Sequence, residues 1–108
     1  MKNGDIWLVD LTDAKGHEQR GTRPAIVLGS ANGIVLVVPL TSSVGSARFS
    51  YTHVIPPDRQ NGLDAESIAL IFQMVSLDRE RFRHRIGAIS QQHQIAIIAL
   101  IRDLLNLD

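Results

Sequence analysis

Asn32-Gly33 sits between two β-branched runs, PAIVL ending at Leu28 and IVLVVPL beginning at Ile34, and this dipeptide constrains the folding of the chain more than any other. A two-residue type I′ hairpin needs positive φ at both central positions, which Asn and Gly tolerate best. The segment therefore predicts two neighbouring antiparallel strands joined around Ser30-Ala31-Asn32-Gly33. Neither flanking run alternates with polar residues, so both strands are expected to be buried. Ahead of them, residues 5–11 (DIWLVDL) exchange faces around Trp7 and Val9 and read as a strand accessible from both sides. Later β-rich runs occupy residues 51–55, 67–75 and 84–89, each bounded by Pro, Gly, Asp or a charge cluster. Five or six short strands in so short a chain predict a small barrel.

The period changes in the last segment, residues 90–108. Ile95, Ile98, Ile101 and Leu105 form one helical row, and Ile97, Leu100, Leu104 and Leu107 form a second beside it. Ser90 is placed to cap the helix N-terminus. Two adjoining rows are wider than a single sheet contact requires, so part of the face is expected to meet a second copy of the chain. Packing on its own barrel is the other reading of the same pattern. No repeat, low-complexity tract or linker interrupts the sequence, and residues 1–108 are expected to form a single, mainly β (α+β) domain.

Composition bounds the function. Among 108 residues, Lys and Arg number 11 and Asp and Glu 11, hydrophobic residues make up 44%, and there is no Cys. A chain of this size buries roughly 65% of its unfolded surface, enough for a core without staples. Without cysteine there is no disulfide or thiolate chemistry, and a cytoplasmic setting is expected. The opening MKNGDIWLVDL lacks the pattern of a signal peptide, and the longest apolar run, residues 95–101, is far short of the about 20 residues that span a bilayer. No membrane partner is expected. Zero net charge argues against coating nucleic acid by bulk electrostatics but leaves a local basic site open.

The sharpest polar concentration is GHEQRGTRP, which puts His17, Glu18, Gln19, Arg20, Thr22 and Arg23 into a glycine-punctuated loop too long to be a plain connection. Arg23 precedes Pro24, which biases its backbone to extended geometry at the mouth of a strand, and an arginine so fixed suits a phosphate. A second concentration, Thr41, Ser42 and Ser43, lies where the strand ending at Leu40 gives out. Turn formation is the alternative role for both groups. His17, His53, His84 and His93 show no metal-ligand spacing, and no metal or other cofactor is expected. Residues 29–33 lead into another strand rather than a helix, which excludes a P-loop, and no G-x-S-x-G elbow is present. Arg79, Arg81, Arg83 and Arg85 make a basic tract that would show alternate arginines on one face of an extended strand; solvated edge charges are its other reading.

The segments GDIWLVDL, GHEQRGTRPAIVL, VVPLTSS, THV, ESIALIFQMVSLDRERF and RIG, in that order and across essentially the whole chain, resemble the MazF/PemK family of toxin endoribonucleases. The resemblance implies an SH3-like barrel with a C-terminal helix, a homodimer and a cognate antitoxin protein. It also implies a metal-independent endoribonuclease that cleaves single-stranded RNA sequence-selectively by 2′-OH attack. Carried over residue by residue, the catalytic arginine falls on Arg23 and the catalytic threonine on Thr41. His17, Glu18 and Gln19 match positions lining the family's RNA site, as does Gln73, with Arg20, Thr22, Ser42, Ser43 and Phe72 beside them. His17 is the local candidate for general base, because an imidazole titrates near neutrality whereas a guanidinium holds its proton. Some branches carry an arginine and an aspartate where this chain has Leu70 and Phe72, and others a glutamate at Phe72, so base recognition is expected to differ. A non-catalytic protein-binding module on the same barrel, as in gyrase-poisoning relatives of the fold, is the alternative.

Overall fold

A computed structural model describes residues 1–12 and 21–107. Its strands are β1 (Asp5–Asp10), β2 (Thr22–Ala31), β3 (Ile34–Thr41), β4 (Thr52–Ile55), β5 (Ser67–Leu70), β6 (Val75–Asp78) and β7 (Phe82–Ala88), followed by one helix, α1 (Gln91–Leu104). Three short 3-10 turns, Val44–Arg48, Ile71–Gln73 and Arg79–Arg81, join them.

The hairpin forms as expected. Ala31 pairs with Ile34, and Asn32 and Gly33 take φ of 57° and 79°, a conformation open to Gly at no steric cost. All strand pairs are antiparallel, in the order β4-β5-β3-β2-β1-β7, with β6 beside β3. β3 is the axis of this arrangement. One edge pairs with β2, while the other is shared: Ile34 to Val37 oppose β6, and Leu40 and Thr41 oppose β5. Sharing one edge between two strands bends the sheet into a barrel-like form.

The apolar run at residues 67–75 is not one strand. It breaks after Leu70 into the turn Ile71–Gln73, and the chain re-enters the sheet as β6. The number of strands rises accordingly to seven among the described residues.

Two cores lie on opposite faces of the bent sheet, and the period-2 alternation of β2 and β3 decides which residues go to each. Ile26, Val38 and Leu40 join Ile6, Ile55 and Ile71 under α1, whereas Ala25, Val27, Val35 and Val37 join Val9, Leu11 and Leu77 on the other side. Burial on both faces accounts for the missing polar alternation at residues 25–27 and 37–40, but not at the start of β3, where Ile34 and Leu36 are exposed against the expectation of a fully buried strand.

Ser90 caps α1, its hydroxyl accepting the His93 backbone N–H at 3.2 Å. Of the two apolar rows, Ile97, Leu100 and Leu104 pack on the core together with Ile101. Ile95, Ile98, Leu105 and Leu107 stay exposed. Among the described residues no helix is long and apolar enough to cross a membrane.

Candidate functional site

β2 begins where β3 ends, and their register brings two sequence-distant polar positions together. Ala25 pairs with Pro39 and Ile26 with Val38; continued two residues outward, the same register sets Arg23 against Thr41. Both side chains line one cleft of about 230 Å³, with Pro24, Leu40 and Ser42 beside them and Leu63, Asp64, Ala65 and Ser67 opposite. Arg23 is exposed and Thr41 half-buried where the buried runs at residues 25–27 and 37–40 end.

Thr41 is half-buried, and its Oγ1 accepts the Ser43 backbone N–H at 3.1 Å. That bond occupies an acceptor site and leaves the hydroxyl proton directed elsewhere, so the cleft presents a donor from Thr41 together with the cationic Arg23. A donor beside a cation is chemistry suited to the oxygens of an anion.

Ser42 lines the cleft, but Ser43 is exposed outside it and contributes its backbone N–H to Thr41. Thr22, also expected at the site, pairs with Asp10 across β1 and is not among the lining residues. Phe72 and Gln73 fall in the turn Ile71–Gln73, likewise outside the cleft. Phe72 is 42% exposed, so it is not a core residue. His17, Glu18, Gln19 and Arg20 lie outside the described residues.

The wall formed by residues 63–65 carries no motif and was not visible in the sequence. It is positioned by a hydrogen-bonded loop, residues 56–66, whose Gln60 carbonyl accepts the Ala88 backbone N–H at 3.0 Å.

The basic tract is largely absorbed by the fold. Arg79 and Arg81 occupy a 3-10 turn. Arg83 and Arg85 lie on β7, where Arg83 pairs with Asp10 at 2.9 Å and Arg85 Nε with Asp5 at 3.3 Å. Burial works to raise the Asp5 carboxyl, but the Lys2 backbone N–H and Arg85 outweigh it and hold the group below the usual carboxylate range. Asp10 is likewise lowered, first by the Thr12 hydroxyl and backbone N–H and then by Arg83. These arginines serve the β1–β7 edge rather than forming a separate cationic face.

Among the described residues no three of His, Cys, Asp and Glu come together as a metal-binding group.

The model of the PemK-like, MazF-like toxins of type II toxin-antitoxin systems matches residues 2–105. A protein of Staphylococcus saprophyticus named Endoribonuclease MazF is 30% identical over 97 residues, covering 85% of this chain and 80% of its own. Its namesake from Staphylococcus epidermidis is 28% identical over 102 residues, covering 90% and 84%. Among solved structures, MazF from Deinococcus radiodurans superposes with a TM-score of 0.81 at 24% identity, over 99% of this chain and 97% of that one, a likeness of fold.

Proposed function

The chain belongs to the PemK-like, MazF-like toxins of type II toxin-antitoxin systems, and from that premise we propose that it is a metal-independent endoribonuclease cutting single-stranded RNA at short sequences. The observation that carries this reading is the convergence of Arg23 and Thr41 on one cleft through the β2–β3 register. The cleft is small enough to hold about one nucleotide around the reacting phosphate.

Cleavage by 2′-OH attack needs three things: a proton removed from that hydroxyl, charge stabilised on the phosphorane, and a proton delivered to the leaving 5′-oxygen. Arg23 supplies the second. Its planar guanidinium can hold two non-bridging oxygens, and it gains strength as charge builds on them in the transition state. Thr41 orients the scissile phosphate, because the Ser43 N–H fixes its oxygen and leaves its proton to donate to a phosphate oxygen. His17 is the candidate base by chemistry, and Glu18, Gln19, Arg20, Thr22, Ser42, Ser43 and Gln73 are candidates for contacting flanking nucleotides. The products are a 2′,3′-cyclic phosphate and a 5′-hydroxyl. Exposed bases of single strands are the feature a short-site cutter reads.

In this reading the protein works as a homodimer in the cytoplasm and is held inactive by a cognate antitoxin, the second component that the family's description names.

The test is incubation of the purified protein with a long single-stranded RNA in EDTA, beside Arg23→Ala, with the cut ends mapped. Recurrent cuts at one short sequence are expected, ending in 5′-hydroxyls and reduced in the variant by about 10²-fold or more. No cleavage by folded protein, or equal cleavage by the folded variant, would overturn the assignment.

A further inference from the structure

Two phenylalanines, on the turns that follow β3 and β5, stand half out of the surface, against the usual fate of large apolar side chains. Phe49 is 46% and Phe72 is 42% exposed. Their ring centroids lie 5.9 Å apart with the planes tilted by 59°, and the Arg48 guanidinium carbon sits 4.5 Å from the Phe49 centroid.

The rings are carried by anchored backbone. Phe49 closes the turn Val44–Arg48, its N–H donating to the Ser46 carbonyl at 3.1 Å, while its own carbonyl accepts the Thr52 hydroxyl at 2.9 Å. Phe72 follows β5, which is tied back to the same place by the pairing of Thr52 with Leu70 and by the Ile71 N–H donating to the Tyr51 carbonyl at 3.0 Å. Two turns, separated by more than twenty residues of sequence, are thus held so that their rings meet.

We propose that Phe49 and Arg48 complete, with Phe72, a stacking shelf for an unpaired base of the RNA substrate beyond the nucleotide held in the cleft. This rests on the ribonuclease reading above.

The chemistry favours RNA for three reasons. Exposed ring faces accept any nucleobase, since every base has a π-face. The Arg48 guanidinium, lying over one face of Phe49, supplies charge for the adjoining phosphate and can itself stack on a base. The shelf also continues the cleft along the chain. Thr41 and Ser42 line the cleft, and after Ser43 begins the five-residue turn that leads to Phe49. On the other side, Ser67 at the start of β5 lines the cleft and Phe72 follows the end of the same four-residue strand, which at about 3.3 Å per residue is roughly 10 Å long. A single strand running out of the cleft along this path meets the rings.

The experiment measures kcat and KM on a minimal RNA spanning the cut and on versions shortened one nucleotide at a time from each end. Wild type is compared with Phe49→Ala, Phe49→Trp and Arg48→Ala, each checked for an unchanged melting transition. In wild type, removing one particular flanking nucleotide should raise KM about tenfold, in the range that loss of base–aromatic stacking produces. Phe49→Ala should show that raised KM already on the full substrate and no longer respond to the trimming, and Phe49→Trp should restore both.

Arg48→Ala should raise KM and flatten its salt dependence. Wild type that cuts, with a Phe49→Ala variant as sensitive to trimming as wild type, would overturn the shelf alone. So would unchanged RNA kinetics accompanied by loss of self-association in Phe49→Ala, which would make the patch a contact between copies of the chain. Wild type that cuts nothing would overturn the ribonuclease reading and the shelf with it.

Discussion

Asn61 is fully buried, and its side chain serves only the backbone around it. Its Oδ1 accepts the N–H groups of Asp58 and Leu63 at 3.1 and 3.0 Å, and its Nδ2 donates to the Pro56 carbonyl at 2.9 Å. Asp58 answers by accepting the Gln60 and Asn61 N–H groups at 2.8 and 2.7 Å. This knot presses against β7 at Gly87, where an added Cβ would lie 2.5 Å from the Asn61 and Gln60 backbone, so only glycine permits the approach. The residues just beyond it, Leu63 to Ala65, form the cleft wall facing Arg23. Asn61→Ala would leave three part-buried backbone groups without this partner, each costing up to about 1–3 kcal/mol. The expected outcome is a denaturation midpoint lowered by about 2–3 kcal/mol of stability, together with a raised KM for RNA. A variant as stable as wild type would show that the knot does not hold the wall.

At the scale of the element, α1 is fastened to β4 and the residue before it by two polar contacts as well as by its apolar row. His53 Nε2 and His93 Nδ1 are 2.8 Å apart, with their rings nearly edge to face at 5.0 Å. The Tyr51 hydroxyl donates to the Asp103 carboxylate at 3.0 Å, and that bond raises the phenol's pKa. Burial, and then repulsion from a charged His93, hold His53 below the usual histidine value of 6.5. A histidine depressed in the folded state binds its proton more readily when unfolded. The stability it lends is therefore complete above about pH 6.5 and drains away as pH falls through the lower folded value. Asp5 and Asp10 are both lowered from 3.8 and stay ionised across that window. Urea midpoints should therefore fall between pH 7.5 and 5.5 in wild type and fall less in His53→Gln. Equal slopes in the two proteins would mean that the pair does not govern helix docking.

For the molecule as a whole, the open question is what covers the outward row of α1. Ile95 and Ile98 are 63% and 46% exposed. They line a shallow hollow of about 440 Å³ with Gln91, Gln94, Ala99 and Arg102. In the homodimer proposed above, this exposed apolar row is where the second copy is expected. Replacing Ile95 and Ile98 together by Glu puts two charges into that contact without touching the packed row. Sedimentation at micromolar concentration should then show wild type as a dimer and the double variant as a monomer of unchanged helicity. A wild-type monomer would remove the homodimer from the proposal.

Sequence by itself determined what short-range sterics and periodicity control. The Asn32-Gly33 hairpin, the strands β2 and β3 that flank it, the Ser90 cap and the helical stretch after it were all legible, because each depends on a few neighbouring residues. Arg23 and Thr41 were singled out by resemblance and by local chemistry. Their shared cleft was not legible, since it depends on the β2–β3 register carried to the open end of the pair. The break after Leu70 was missed because a run that is apolar but for Ser67 and Gln73 carries no mark of where β3 stops accepting one partner and takes another. Phe49 drew no attention, because no local pattern marks it and only the pairing of β4 with β5 brings Phe72 to its side. Which helical row turns inward was equally a tertiary matter, for both rows are apolar and only the shape of the barrel beneath chooses between them. Local patterns select elements at the cost of a turn or a cap; partners far apart in sequence are chosen by the packing of the whole.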